Sequence, residues 1–334
     1  MRTVLVTRMD NDGDVLLAGP TIRAVAATDR VVLLVAPSGE QAARLLPAVH
    51  DVLVWPCPWT GFDPPAVERA SVNTLIDALR LGHLGAALVL TSYHQSPLPM
   101  AFVLRMAGIG WIGADCEDYP GSLLDLRHRS QPGHEVERGL ALAAAAGYEL
   151  PDGDDGRLAI RDSLLTPPPP EDPFVVVHPG ASVPARAGVP EQLRTTVAAL
   201  AADGHRVIVT GSVAERTLTA EVARGNGIDL GGRTNYRQLA SLLSAASCVV
   251  VGNTGPAHLA AAVGTPVVSL FAPVVPVDQW APWKVPSVVL GDQQAPCRGS
   301  RARVCPVPGH PCLSEVTPDE VLVAVRKLIE EVAP

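Results

Sequence analysis

A chain of 334 residues is longer than one compact core comfortably serves, so two domains are expected, and 47% hydrophobic with 18% charged residues gives them ample interior. A formal charge of -8 with no basic patch argues against a nucleic-acid partner. No apolar run approaches the roughly 18 residues needed to span a bilayer. The opening MRTVLVTRMD enters a strand directly instead of forming a signal peptide, so a cytoplasmic location is expected.

Residues 3–7 (TVLVT) read as a buried strand running into the turn RMDNDGD, after which apolar residues recur at helical spacing over 15–27. Strand, glycine-bearing turn and helix make a first crevice-forming unit. Strands are expected at 30–36, 52–55 and 86–91, alternating with helices at 40–46, 70–81 and 99–107. That alternation argues a parallel, doubly wound sheet. GIGWIG at 108–113 fits the dinucleotide fingerprint G-x-G-x-x-G, but it follows a helix and leads towards the loop at 114–120. It therefore reads as a glycine-rich helix stop before a short strand, not as a cofactor site.

A helix is expected at 134–146, broken by PDGDDG at 151–156. The stretch TPPPPEDP at 166–173 is a stiff proline linker. A second α/β set follows, with strands at 174–178 and 207–210 and helices at 190–202, 214–225 and 236–245. The expected division is a first Rossmann-like domain at 1–165, the linker at 166–173 and a second at 174–334, the last helix being a candidate to pack back on the first domain. Ligands are expected in the cleft between the domains, at the carboxyl ends of the strands.

The stretch VVVGNTGPAHLAAAVGTPVVSLFAP at 249–273 organises the second domain. It reads as strand, turn, short Ala-rich helix opening on Pro256 and stopped by Gly264, then a second buried strand. Such a turn aims the helix-start amides of Thr254 and Gly255 out of the sheet, where an α/β protein holds an anion. Asp14, just past Gly13 at a helix start, is a candidate carboxylate held ionised by the helix dipole; an ordinary helix cap is the alternative. Arg186, in the loop after His178-Pro179-Gly180-Ala181-Ser182, is either a surface charge or a fixed cation for a phosphate. No Walker loop, nucleophile elbow or Cys/His dyad is present. The six cysteines are read as reduced thiols. Cys297, Cys305 and Cys312 with His310 form a possible zinc set, but their C-x7-C-x6-C spacing matches no common zinc motif, and no metal is expected.

Over nearly its full length the chain resembles glycosyltransferase family 9, the heptosyltransferase family of GT-B fold. The resemblance is carried by VLVTRMDNDGDVLLAGPTIRAV at the start, HPGAS at 178–182, NTGPAHLAAAVGTPVVSLFAP, and a cysteine-bearing tail closing on PDEVLVAV at 318–325. It implies two Rossmann-like domains with an interdomain cleft. It also implies inverting transfer, without a metal or other cofactor, of a heptose or related sugar from a nucleoside diphosphate donor, ADP-heptose first among them, to a hydroxyl acceptor. Asp14 matches the family's catalytic base. Ser182, Arg186, Thr254, Gly255 and His258 match donor-phosphate positions, Asn253 the donor sugar, and Glu215, Arg233 and Thr234 the nucleoside. A capping or core role is the alternative for His258. The family more often has Asp where Asn253 stands, which removes a fixed charge near the sugar. The acceptor is either a lipopolysaccharide-type glycan, with peripheral membrane contact, or a soluble metabolite, and an acidic surface suits a cationic one. A non-catalytic nucleotide-sugar binding protein and a GT-B nucleotide-sugar 2-epimerase are the rival readings.

Overall fold

A computed structural model describes residues 1–61, 63–92, 94–129, 131–166 and 173–332. The chain divides into two compact units, Met1–Arg157 and Leu158–Pro334. The second begins earlier than the sequence suggests because the segment after 157 is bonded into it. Thr166 donates its backbone N–H to Ser241 (2.9 Å), and Arg237 reaches the Leu164 carbonyl (2.5 Å). Except for its two end residues, the linker expected at 166–173 lies outside the described residues.

The first unit holds strands β1 (Thr3–Arg8), β2 (Arg30–Val35), β3 (Val49–Val54), β4 (Ala86–Leu90), β5 (Trp111–Asp115) and β6 (Leu126–His128). Its helices are α1 (Asp12–Leu17), α2 (Gly19–Ala26), α3 (Glu40–Leu45), α4 (Arg69–Leu81), α5 (Leu98–Met106) and α6 (Glu135–Ala145). All strands run parallel in the order β3-β2-β1-β4-β5-β6. Central strands covered on both faces need continuous apolar runs, and β4, AALVL, is buried at every position. The single helix expected over 15–27 is two. Pro20 has no N–H to offer the Leu16 carbonyl, so α1 closes on Ala18 and α2 restarts at Gly19. The GIGWIG stretch is the expected helix stop: Gly108 sits at φ +87° after α5, and Gly113 lies inside β5.

The second unit repeats the plan with β7 (Phe174–His178), β8 (Arg206–Val209), β9 (Ile228–Asp229), β10 (Cys248–Gly252), β11 (Val267–Leu270) and β12 (Ser287–Leu290). Between and after them come α7 (Pro190–Ala202), α8 (Arg216–Ala223), α9 (Tyr236–Ala245), α10 (Gly255–Ala262), α11 (Val277–Trp280), α12 (Pro311–Ser314) and α13 (Pro318–Val332). The order is β12-β11-β10-β7-β8-β9, again parallel throughout. The last helix, α13, packs against α7 and strands β10, β11 and β12 of its own unit. Val321, Ala324, Val325 and Leu328 form its buried stripe. In each unit the strand order reverses once, between β1 and β4 and between β7 and β10. Those two reversals open the crevices where α/β sheets hold ligands.

Candidate functional site

In the first unit the crevice is walled by charge. Arg8, the last residue of β1, is 5% exposed. Its Nη2 donates to Asp14 Oδ1 (3.1 Å), Ser92 Oγ (3.0 Å) and Glu135 Oε2 (3.2 Å), and its Nε lies 2.9 Å from Asp10 Oδ2. Gln95 Nε2 donates to Asp10 Oδ1 (2.7 Å), and Arg138 Nη1 donates to Glu135 Oε1 (2.7 Å). Three carboxylates therefore share two guanidinium groups. Burial works against the Arg8 charge, but Asp10, Asp14 and Glu135 outweigh it and raise its pKa above the ordinary value. Burial pushes Asp10 up to about 6, against the pull of Arg8, and raises Glu135 against Arg8 and Arg138.

Asp14 stands in the first turn of α1, whose N-cap is Asn11, so it is not the helix cap. Its side chain is 23% exposed, against 10% for Asp10 and 4% for Glu135. Of the three carboxylates on Arg8, Asp14 is the most exposed. Asp12 plays a different part: it accepts the Ala42 N–H (2.9 Å) and pins α3 to α1, with burial raising its pKa to about 6. The sequence reading missed Arg8, Asp10, Ser92, Gln95 and Glu135. An arginine closing an apolar strand was the one local signal for them; Glu135, opening a helix after the His134 capping box, looked like ordinary dipole complementation.

The second unit builds its crevice from backbone. The turn after β10 folds tightly, with Thr254 N–H bonded to the Gly252 carbonyl (2.8 Å) and Ala257 N–H to the Thr254 carbonyl (3.0 Å). Pro256 has no N–H, and the Thr254 amide is consumed by the turn itself. The loop carrying Arg186 presses onto this turn, since a Cβ on Gly252 would lie 2.7 Å from the Arg186 carbonyl oxygen. Arg186 and Thr254 are thus brought to one place. Ser182 is exposed in the same loop, and His258 is buried one helical turn beyond Thr254.

Glu215 lies over the turn after β7: a Cβ on Gly180 would fall 1.8 Å from its Oε1. Its Oε2 accepts the Ser212 N–H (2.7 Å), which fixes the carboxylate. The turns after β8 and β9 are tied by Gly232 N–H to the Gly211 carbonyl (2.8 Å), so exposed Arg233 and half-buried Thr234 stand beside the Glu215 turn. His178 closes β7, buried, with Nδ1 3.0 Å from Thr210 Oγ1; burial lowers its pKa and keeps the ring neutral.

Asn253, expected at the donor sugar, is tied to backbone here. It is 5% exposed, donates Nδ2 to the Ala272 carbonyl (3.4 Å) and accepts the Ala272 N–H at Oδ1 (3.3 Å). Both ends of the amide clamp the turn after β10 to the segment after β11, which leaves one N–H and one lone pair for any sugar. The cysteine-bearing tail also supports the site. Arg303 accepts the Ala185 N–H (2.9 Å) beside Arg186, and Arg301 N–H reaches the Val274 carbonyl (2.8 Å). Cys312 is pushed up to about 12 by burial and its neighbours Cys297 and Cys305, a packed thiol cluster. Among the described residues no group of three or more His, Cys, Asp or Glu side chains is placed to hold a metal ion.

The family model described as glycosyltransferase family 9 (heptosyltransferase) matches residues 74–309. The chain belongs to glycosyltransferase family 9. As a family 9 chain it carries the whole second-unit crevice inside the match, whereas Arg8, Asp10 and Asp14 precede it. It is 30% identical over 173 residues to lipopolysaccharide heptosyltransferase 3 of Escherichia coli strain K12, covering 49% of this chain and 48% of that protein. The chain thus spans about half the length of the curated relatives it matches. In fold it is similar to the E. coli ADP-heptose lipopolysaccharide heptosyltransferase II (TM-score 0.76, 20% identity, 99% of both chains). It is also similar to E. coli heptosyltransferase WaaC solved with ADP-2-deoxy-2-fluoro heptose (TM-score 0.74, 22% identity, 99% of this chain and 100% of that one). These likenesses accord with the GT-B fold.

Proposed function

We propose that this family 9 chain is an inverting glycosyltransferase that moves a heptose or related sugar from a nucleoside diphosphate donor to a hydroxyl acceptor. ADP-heptose is the first donor to try, because the two solved structures of the same fold are named for it or hold its analogue. The observation that carries the reading is Asp14: a half-buried carboxylate, more exposed than Asp10 and Glu135, held by a buried arginine at the switch point of its sheet. In this reading Asp14 takes the proton from the acceptor hydroxyl as its oxygen attacks the anomeric carbon, opposite the leaving diphosphate, so the configuration inverts. The Arg8 guanidinium fixes which oxygen of Asp14 is offered, since Oδ1 is already occupied by Nη2.

Charge growing on the departing diphosphate is met by Arg186, the Ser182 hydroxyl, the Gly255 amide and His258, with no metal required. Oε1 of Glu215 takes a ribose hydroxyl, and Arg233 with Thr234 hold the base. Asn253 acts first as the clamp that shapes this turn. The acceptor is a lipopolysaccharide-type glycan, as the names of the E. coli relatives suggest, or a soluble metabolite. Among the described residues no helix is long and apolar enough to cross a membrane. A cytoplasmic enzyme with at most peripheral membrane contact fits this reading.

A panel of nucleoside diphosphate sugars, with ADP release and sugar product both detected, tests the proposal. Transfer from one donor that Asp14→Asn abolishes is the expected result. Nucleotide binding without any transfer would favour a binding module, and a changed donor sugar without acceptor would favour an epimerase.

A further inference from the structure

The tail between β12 and α13 carries Cys297, Cys305 and Cys312, and the transferase chemistry uses none of them. Cys297 and Cys312 are buried in the core of the second unit, 3% and 2% exposed, and half-buried Cys305 packs against the same core. All three are free thiols. The Cys312 thiol is hydrogen-bonded to Cys297 and feels Cys305 beside it. Burial keeps Cys312 protonated and unreactive, whereas Cys305, the most exposed of the three, is the one a small oxidant reaches first.

Between Cys297 and Cys312 the chain forms a strap across the loop of Arg186. The Arg303 carbonyl accepts the Ala185 N–H (2.9 Å). Gly299 N–H bonds the Pro273 carbonyl (2.8 Å), and Arg301 N–H bonds the Val274 carbonyl (2.8 Å). At the far end the Cys312 carbonyl accepts the Asp292 N–H (3.1 Å). A bond between the two ends of the strap closes a loop of about 15 residues and narrows the positions open to it. Ala185, and Arg186 next to it, are held more firmly as a result.

We propose that the three thiols form a redox staple: a peroxide oxidises Cys305, and the final product is a Cys297–Cys312 disulfide that locks the strap onto the Arg186 loop. The Cys305 thiolate attacks one peroxide oxygen, giving the sulfenic acid, and the departing hydroxide takes the thiol proton to become water. The Cys312 sulfur displaces the sulfenic hydroxyl as a second water. Cys297 then attacks Cys312, which returns Cys305 as a thiol. Two thiols thus give two protons and two electrons to one peroxide, which becomes two waters. The consequence for the donor rests on the transferase reading above; the disulfide does not.

Reduced protein exposed to hydrogen peroxide, then alkylated and mapped by mass spectrometry, is expected to show Cys297 joined to Cys312. Trypsin gives a second readout, because exposed Arg298, Arg301 and Arg303 lie between those cysteines. Oxidised chains cut there should stay joined on a gel until dithiothreitol is added. Tm should rise by several degrees on oxidation and fall back on reduction. Cys305→Ser, at a half-buried position, should slow the cross-link about tenfold, and Cys297→Ala should abolish the Tm rise. Donor KM for ADP-heptose should fall about threefold in the oxidised form, and Arg186→Ala should lose that difference while keeping the Tm rise.

Three thiols that all alkylate after peroxide, a final cross-link that omits Cys297 or Cys312, or a metal ion held by these thiols in the purified protein overturns the staple. A cross-link that changes neither Tm nor donor KM overturns the lock. A staple that forms and raises Tm in a protein that turns over no donor at all sinks the transferase reading alone.

Discussion

The two crevices hold charge by opposite means. In the first unit, side chains from the turn before α1, from α1, the Ser92 loop and α6 converge on the one buried guanidinium that closes β1. In the second, a tight turn and the loop carrying Arg186 press together at a strand end, and side chains such as Asn253 hold that backbone in place. A proton acceptor must be aimed and its ionisation managed, which takes charged neighbours at short range. A diphosphate is a diffuse anion that backbone donors and one or two cations can meet. The first arrangement is brittle, because removing one member leaves the others buried and unbalanced; the second leans on backbone geometry, with a few side chains such as Asn253 tying it down.

Four substitutions and a pH series sharpen that contrast. Asp14→Asn should cut kcat by about 10²–10⁴-fold, the usual worth of a positioned base, with little change in donor KM; steady-state kinetics with the preferred donor check it. Arg8→Met strands Asp10 in the interior, leaves Glu135 with Arg138 alone, and should cost about 3–5 kcal/mol of stability, read from urea unfolding. An effect on that scale is expected from no single side chain of the second crevice. Arg186→Ala should slow transfer by about 10²–10³-fold, since one lost donor to a developing anion is worth about 2.7–4 kcal/mol of barrier, while Tm stays nearly constant.

Asn253→Ala should lower stability by about 1–3 kcal/mol through the two unpaired groups of Ala272, and leave the ranking of donor sugars as it was. A changed ranking would return Asn253 to the sugar. The smallest effect is a pH dependence. Asp10 folds with its pKa raised from 3.8 to about 6, so the folded state favours its protonated form. That contribution is fully present below about 4 and is lost as pH rises through 6. Asp10→Asn keeps the neutral form at every pH, so the Tm difference between this variant and the natural protein should be more favourable to the variant at pH 8 than at pH 5. A constant difference would show that Asp10 titrates normally.

Much of the second crevice was legible because it is local. Gly252 to Pro256 announce a turn and a helix start by residue type, and the HPGAS turn sits at the end of an obvious strand. The strands β6, β9 and β12 were not legible, having three, two and four residues and no full period of burial to show. The break between α1 and α2 lay in plain view at Pro20 but was overridden by the apolar spacing around it. The network on Arg8 joins residues as far as 127 positions apart, which no window of sequence contains.

Sequence by itself determined the two doubly wound units, the family and the position of Asp14, because hydrophobic period, turn residues and a motif are properties of neighbours along the chain. Tertiary structure alone decided that Asp14 is held by Arg8 beside two buried carboxylates. It also decided that Asn253 clamps Ala272. Those are properties of neighbours across a sheet, set when β1 and β4, or β10 and β11, are brought side by side by parallel pairing.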